Sequence, residues 1–349
     1  MFYGFVILSL AISLIGCSDD KPTSPVTNPG NTSTSTWNAS GGYWSSTVDA
    51  SSTTEFAYFS FTTRDTTTTG VPKVGATSWD LGFRREVVKT NGGASTNNSG
   101  DLLATDLGAV DFAAVTVADT AGKTWVADQI AYFFDNWYDY NPITHQLTAN
   151  RNVYSMLDAG GHNYVKFRID SLTGAGMPPD MGTVWLTYYY QPTADNASLP
   201  GPTVSTSFAV ESGTVYFDFS SGAVVTPATP SNSTEWDLGF SSYNVFQNSG
   251  PNGSGAAKGF YAYTELTDPT DIDAFTAQPA APMFPDIPSS ALTDWYNYTG
   301  PPLHQLLSKE NIYLLKTGGK VYKVMIESYY ANVSGVPTSG HYTFIWKEL

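Results

Sequence analysis

A five-residue run, Trp79-Asp80-Leu81-Gly82-Phe83, returns unchanged as Trp236-Asp237-Leu238-Gly239-Phe240. Each copy leads into a polar, Gly-rich turn, Asn91-Gly92-Gly93-Ala94-Ser95 in one case and Asn252-Gly253-Ser254-Gly255 in the other. Apolar Trp79, Leu81 and Phe83 alternate with Asp80 and Gly82, the period of a strand with three apolar side chains on one face. Asp80 and Asp237 lie inside this strand, where a carboxylate is best used by nearby turn amides. A chain that carries the same unit twice is expected to fold as two copies of one domain.

The rest of the chain follows the duplication. Thr54-Glu55-Phe56-Ala57-Tyr58-Phe59-Ser60-Phe61 corresponds to Gly213-Thr214-Val215-Tyr216-Phe217-Asp218-Phe219. The acidic stretch Asp106 to Phe112 corresponds to Asp268 to Phe275. Trp137-Tyr138-Asp139-Tyr140 matches Trp295-Tyr296-Asn297-Tyr298, His145-Gln146-Leu147 matches His304-Gln305-Leu306, and Asn152-Val153-Tyr154 matches Asn311-Ile312-Tyr313. Gly160-Gly161 and Gly318-Gly319 read as hairpin turns, and each copy ends in an aromatic strand. No long helical period appears, and only 113–131 suggests a short helix. The reading is two all-β domains, each a sandwich or half-open barrel, over 37–192 and 203–349, with a short linker between.

Composition narrows the function. Charged residues are 13% and the net charge is −15, which argues against nucleic acid and against docking on anionic lipid, since both need a basic face. Aromatics reach 14%, as suits short strands joined by turns in an extracytoplasmic protein. The single cysteine, Cys17, rules out an intrachain disulfide. It follows an apolar run ending in Leu14-Ile15-Gly16, too short for a membrane span. This resembles the lipobox of bacterial lipoproteins, which implies a signal peptide over 1–16 and lipidation of Cys17. The Pro/Ser/Thr-rich stretch 17–36 is then a flexible tether. Acidic Asp19 and Asp20 directly after the cysteine resemble a surface-export signal of outer-membrane lipoproteins, so the cell surface is favoured over the periplasm.

The ordered set of motifs, joined to a lipobox, resembles the HmuY family of lipoproteins across nearly all of the mature chain, in two tandem copies. The resemblance implies an all-β fold, haem held between two axial side chains, and delivery of haem to an outer-membrane receptor. Haem iron takes imidazole, thioether, thiolate or phenolate ligands. The candidates are His145, His304, His162, His341, Met177 and Met181. His145 and His304 occupy the same place in both copies, as a ligand would and as a turn-holding residue would. His162 follows a hairpin turn and His341 opens the last strand, where solvent exposure is the simpler expectation. Met177 and Met181 flank a Pro-stiffened loop able to pre-position a thioether. No metal beyond haem iron is indicated.

No Gly-x-Ser-x-Gly elbow or His-Glu-x-x-His pair is present, so an enzyme is not expected. The competing reading is a non-haem surface module that binds a glycan or protein partner, for which two tandem copies supply avidity.

Overall fold

The computed structural model describes residues 33–53, 55–67, 78–96, 99–174, 181–211, 213–333 and 336–349. Cys17, the tether before residue 33, and Met177 lie outside them. The described residues are all-β, with several antiparallel sheets, and among them there is no closed barrel and no helix of seven residues or more. The helix suggested within 113–131 is a single 3-10 turn, Val117–Thr120, capped by Thr116.

The strands form two sandwiches. One pairs a six-stranded sheet, in the order Ser33–Asn38, Tyr43–Asp49, Val336–Glu348, Lys320–Val333, Ile312–Thr317, Leu103–Asp106, with a four-stranded sheet over Ala57–Ser60, Asp65–Thr67, Leu81–Arg84 and Val87–Thr90. The other pairs a five-stranded sheet, in the order Val204–Val210, Gly182–Tyr190, Tyr164–Leu172, Tyr154–Leu157, Lys258–Phe260, with a four-stranded sheet over Thr214–Asp218, Ala223–Val225, Leu238–Ser241 and Asn244–Gln247. The first core gathers Phe59, Leu81 and Phe83 with Val324, Phe344 and Trp346. The second gathers Phe217, Leu238 and Phe240 with Phe167, Leu186 and Tyr188. Alternation along the long strands explains both, because Tyr322, Val324 and Ile326 share one face.

These pairings cut across the sequence repeats. The first half of copy one packs on the second half of copy two, and the second half of copy one packs on the first half of copy two. The expected domain boundaries, 37–192 and 203–349, therefore do not coincide with the cores. One sandwich is continuous over roughly 132–286, and the other is built from the chain on either side of it. The crossing segments are repeat-equivalent. Gln129–Ala131 runs antiparallel to Ile287–Ser289, with Ile130 opposite Pro288. The halves are copies, so an interface between halves of different repeats has the same chemistry as one within a repeat. Exchange of this kind costs little.

Buried carboxylates hold the crossing. Asp128 accepts from the Thr90 amide and hydroxyl and from the Ser95 hydroxyl, at 2.6–2.7 Å. Its counterpart Asp286 accepts from the Phe133 amide of the other repeat, the Gln247 amide and the Asn252 side chain, at 2.7–2.8 Å. The Trp137 indole donates to the Tyr243 carbonyl and the Trp295 indole to the Glu86 carbonyl, both at 3.0 Å, so each repeat is pinned to the other.

The motif strand departs from its expected geometry at one residue. Leu81 and Phe83 enter the core, but Trp79 packs at a tilt against Tyr58, ring centroids 4.7 Å apart, on the opposite face, and Trp236 does the same with Tyr216 at 4.8 Å. Regular pairing begins only at Leu81 and Leu238, so alternation does not extend back to the tryptophan. Gly82 and Gly239 leave room beneath this aromatic layer. A Cβ on Gly239 would sit 2.1 Å from the Phe246 ring. Asp80 accepts from the Phe61 amide at 2.7 Å, and Asp237 from the Phe219 and Ala159 amides at 2.8 and 2.7 Å, which is the role expected of them. The segment read as a linker is packed: Leu199 is buried with Val153, Ala262, Ile272 and Phe275.

Candidate functional site

Two short hairpins occupy equivalent places, one in each repeat. Tyr138–Asn141 pairs with Gln146–Ala149, and Tyr296–Tyr298 pairs with Leu306–Ser308. Each is rooted by its buried Trp137 or Trp295. The first turn closes through the His145 amide on the Asn141 carbonyl at 2.8 Å, with the Asn141 side chain accepting from Ile143 and Thr144. The second closes through the His304 amide on the Gly300 carbonyl at 2.9 Å.

His145 and His304 both stand in the left-handed backbone region, at φ 56° and 49°. That region is uncommon outside glycine, although histidine enters it more readily than most residues. The Tyr140 hydroxyl lies 2.6 Å from His145 Nδ1, and the Tyr298 hydroxyl makes the same hydrogen bond to His304 Nδ1. Tyr140 and Tyr298 are 42% and 44% exposed, and beside them Ile143 and Leu303 are 88% and 64% exposed. The imidazoles are partly buried beneath this surface.

The other candidates lie apart. His162 sits at an exposed hairpin tip with Nδ1 3.3 Å from Asp195. Its amide donates to Asp158 at 3.1 Å. His341 does not open its strand but lies within Val336–Glu348, opposite Asp49, with Nδ1 3.8 Å from the carboxylate. It borders a shallow groove lined by Thr47, Asp49, Ala331 and Thr343. Met181 is fully buried in the second core, so its thioether packs where a haem ligand would have to face a ligand space.

A haem iron with two axial ligands needs two donors facing one space. Among the described residues no three His, Cys, Asp or Glu side chains are grouped to hold a metal ion. Met181 lies in the second core, His145 and His304 on separate hairpins, His162 at a hairpin tip and His341 within its strand. Each hairpin carries one phenol–imidazole hydrogen bond beside its turn.

The sequence points to the two histidines but not to Tyr140 and Tyr298. The signal was present in the matched Trp-Tyr-x-Tyr runs, where the second tyrosine recurs just ahead of each histidine. It was obscured because the turn is one residue longer in the second copy, five positions from Tyr140 to His145 against six from Tyr298 to His304.

Among the described residues no helix is long and apolar enough to cross a membrane. No curated protein matches the chain. The family model for the HmuY protein matches residues 52–145 and 211–286, one segment in each copy of the repeat. Through these two segments the chain belongs to the HmuY family.

Proposed function

We propose that this chain is a surface-displayed, ligand-binding lipoprotein that captures haem and hands it to an outer-membrane receptor without catalysing a reaction. The observation that carries this reading is the family match at corresponding places in both copies, since the HmuY family is one of surface-associated proteins of the haem-binding type. The duplicated hairpins support it, because each presents a nitrogen and an oxygen donor beside an exposed aliphatic side chain. A porphyrin needs such a mixture of apolar surface and iron-directed donors. In this reading Cys17 carries the lipid and residues 18–36 hold the sandwiches off the membrane. The strong negative charge keeps the folded part from nucleic acid and from anionic lipid.

The test is a haemin titration of the soluble chain from Ser18 onward, which keeps every described residue. A saturable Soret shift at micromolar or tighter affinity is expected in the oxidised state. Absence of a saturable shift in both redox states would remove haem and move the function to a glycan- or protein-binding surface module.

A further inference from the structure

We propose that Trp37, Trp44 and Arg64 form a shallow site on the first sandwich for an acidic sugar, with the sugar's carboxylate on the Arg64 guanidinium and the apolar face of its ring on Trp37. None of these residues belongs to the histidine hairpins, so the site stands whether or not the chain binds haem.

The duplication supplies an internal control, because the second copy shows what the fold alone requires. Three departures from it meet at one place. First, the turn after Ala57–Ser60 closes through the Arg64 amide on the Ser60 carbonyl at 2.8 Å, and the corresponding turn through the Gly222 amide on the Asp218 carbonyl at 3.0 Å. Arg64 stands at φ 62° and Gly222 at φ 67°. That backbone region favours glycine, so the turn itself gives no reason for an arginine. Second, Trp44 pairs with Trp346 across the sheet where Val204 pairs with Tyr188 in the other sandwich. Third, Ser33–Asn38, which carries Trp37, is an added strand along Tyr43–Asp49, whereas the corresponding strand Val204–Val210 is left as the edge of its sheet, with Val204 54% exposed.

The geometry joins the three residues. The Trp37 and Trp44 ring centroids are 5.3 Å apart, and the Arg64 guanidinium carbon lies 4.3 Å from the centre of the Trp44 ring. The Ser35 hydroxyl donates to the Arg64 carbonyl at 2.6 Å and the Ser33 hydroxyl donates to Asp65, which ties the added strand to the turn. Trp37 is 47% exposed, and Arg64 is exposed with it. Arg64 makes no ion pair with a described residue, in a chain whose net charge is −15.

A guanidinium stacked on an indole keeps N–H groups at its rim, where a carboxylate can take two parallel hydrogen bonds. The exposed indole of Trp37 offers a rigid apolar surface to the C–H face of a pyranose. The place is an open sheet edge. That suits a ligand whose hydroxyls stay in water and which needs one face and one charge covered, whereas an apolar ligand would need enclosure.

The experiment follows sugar-proton saturation transfer and the indole N–H resonances of the Ser18-onward chain. The probes are sialyllactose, a glucuronate-containing hyaluronan tetrasaccharide, and neutral lactose. At least one acidic sugar should bind saturably and move the Trp37 indole resonance, and which of the two responds names the source of the carboxylate. Lactose should bind about tenfold to a hundredfold more weakly, the worth of hydrogen bonds to a charged group. Binding should weaken as salt is raised. Trp37→Ala should abolish binding. Arg64→Gly restores the residue of the second copy, so it should remove the preference for the acidic sugar without lowering the thermal midpoint. Equal binding of lactose would overturn the role of Arg64. A lowered midpoint with unchanged binding in Arg64→Gly would reduce the arginine to a brace for Trp44 and overturn it as well. No saturable response to either acidic sugar at millimolar concentration would overturn the site.

Discussion

Asp286→Asn probes the crossing between the two sandwiches. Asp286 is buried, and burial pushes its carboxyl up from 3.8 to about 6 against the pull of its hydrogen bonds from Phe133, Gln247 and Asn252. Its Oδ1 accepts from the Phe133 amide and the Gln247 side chain, and its Oδ2 from the Gln247 amide and the Asn252 side chain. Asparagine keeps the shape but turns one oxygen into a donor, so two buried donors lose their acceptor at roughly 1–3 kcal/mol each. Relief of a carboxylate held about two pKa units high returns about 3 kcal/mol at neutral pH. The net loss at pH 7 is therefore small, up to about 3 kcal/mol. The pH dependence is the sharper readout. A folded-state pKa raised above the unfolded one means that the folded protein binds the extra proton, so wild-type stability from this group rises as pH falls from about 7 toward 4. Between pH 7 and pH 5 the gain is about 1 kcal/mol, and the asparagine variant lacks it. Urea unfolding at both pH values should show the gap between the two proteins widening by that amount at pH 5. A gap that stays constant or narrows would refute the assigned environment of Asp286. Asp128 and Asp237, also raised by burial to about 6 and about 7, are unchanged in both proteins and cancel in the comparison.

Two further substitutions separate core from site. Met181→Ala should cost about 2–5 kcal/mol, the range for emptying a buried large side chain, and leave haemin affinity unchanged, because Met181 packs in the second core. A fall in affinity at equal folded fraction would restore it as a ligand. Gly239→Ala should destabilise by about 1–3 kcal/mol as the new methyl group forces the Phe246 ring aside, read as a lower midpoint in thermal unfolding; an unchanged midpoint would show that the ring moves freely.

Much of the fold was legible in the chain. The repeated motif, the Gly-Gly hairpins and the capping role of Asp80 and Asp237 follow from alternation and turn chemistry, and the sandwiches contain them. What was not legible has a physical cause in each case. Partner choice between halves was hidden by the duplication itself, since Phe59 and Phe217, or Phe167 and Val324, supply similar surfaces in either pairing. The face of Trp79 depended on where regular pairing begins, one or two residues later than the alternation suggests. Met181 lies four residues after Met177 in a Pro-rich stretch that reads as a loop, and only the packed structure places it in the core. At the hairpins the sequence pointed to the histidines, while the hydrogen bond that pairs them with tyrosine required a turn geometry that residue spacing does not give.

The exchange of halves fixes which sheets root the two hairpins, and residues 132–286 test it most directly. This segment holds the whole second core, with Phe134, Phe167, Phe217 and Phe240, although it joins the end of one repeat to the start of the next. Expressed alone, it should give a monomer with dispersed amide resonances, near-ultraviolet circular dichroism and one cooperative thermal transition. An unfolded 132–286 segment beside a folded, monomeric 203–349 segment would contradict the exchange and return the domains to the boundaries of the repeats.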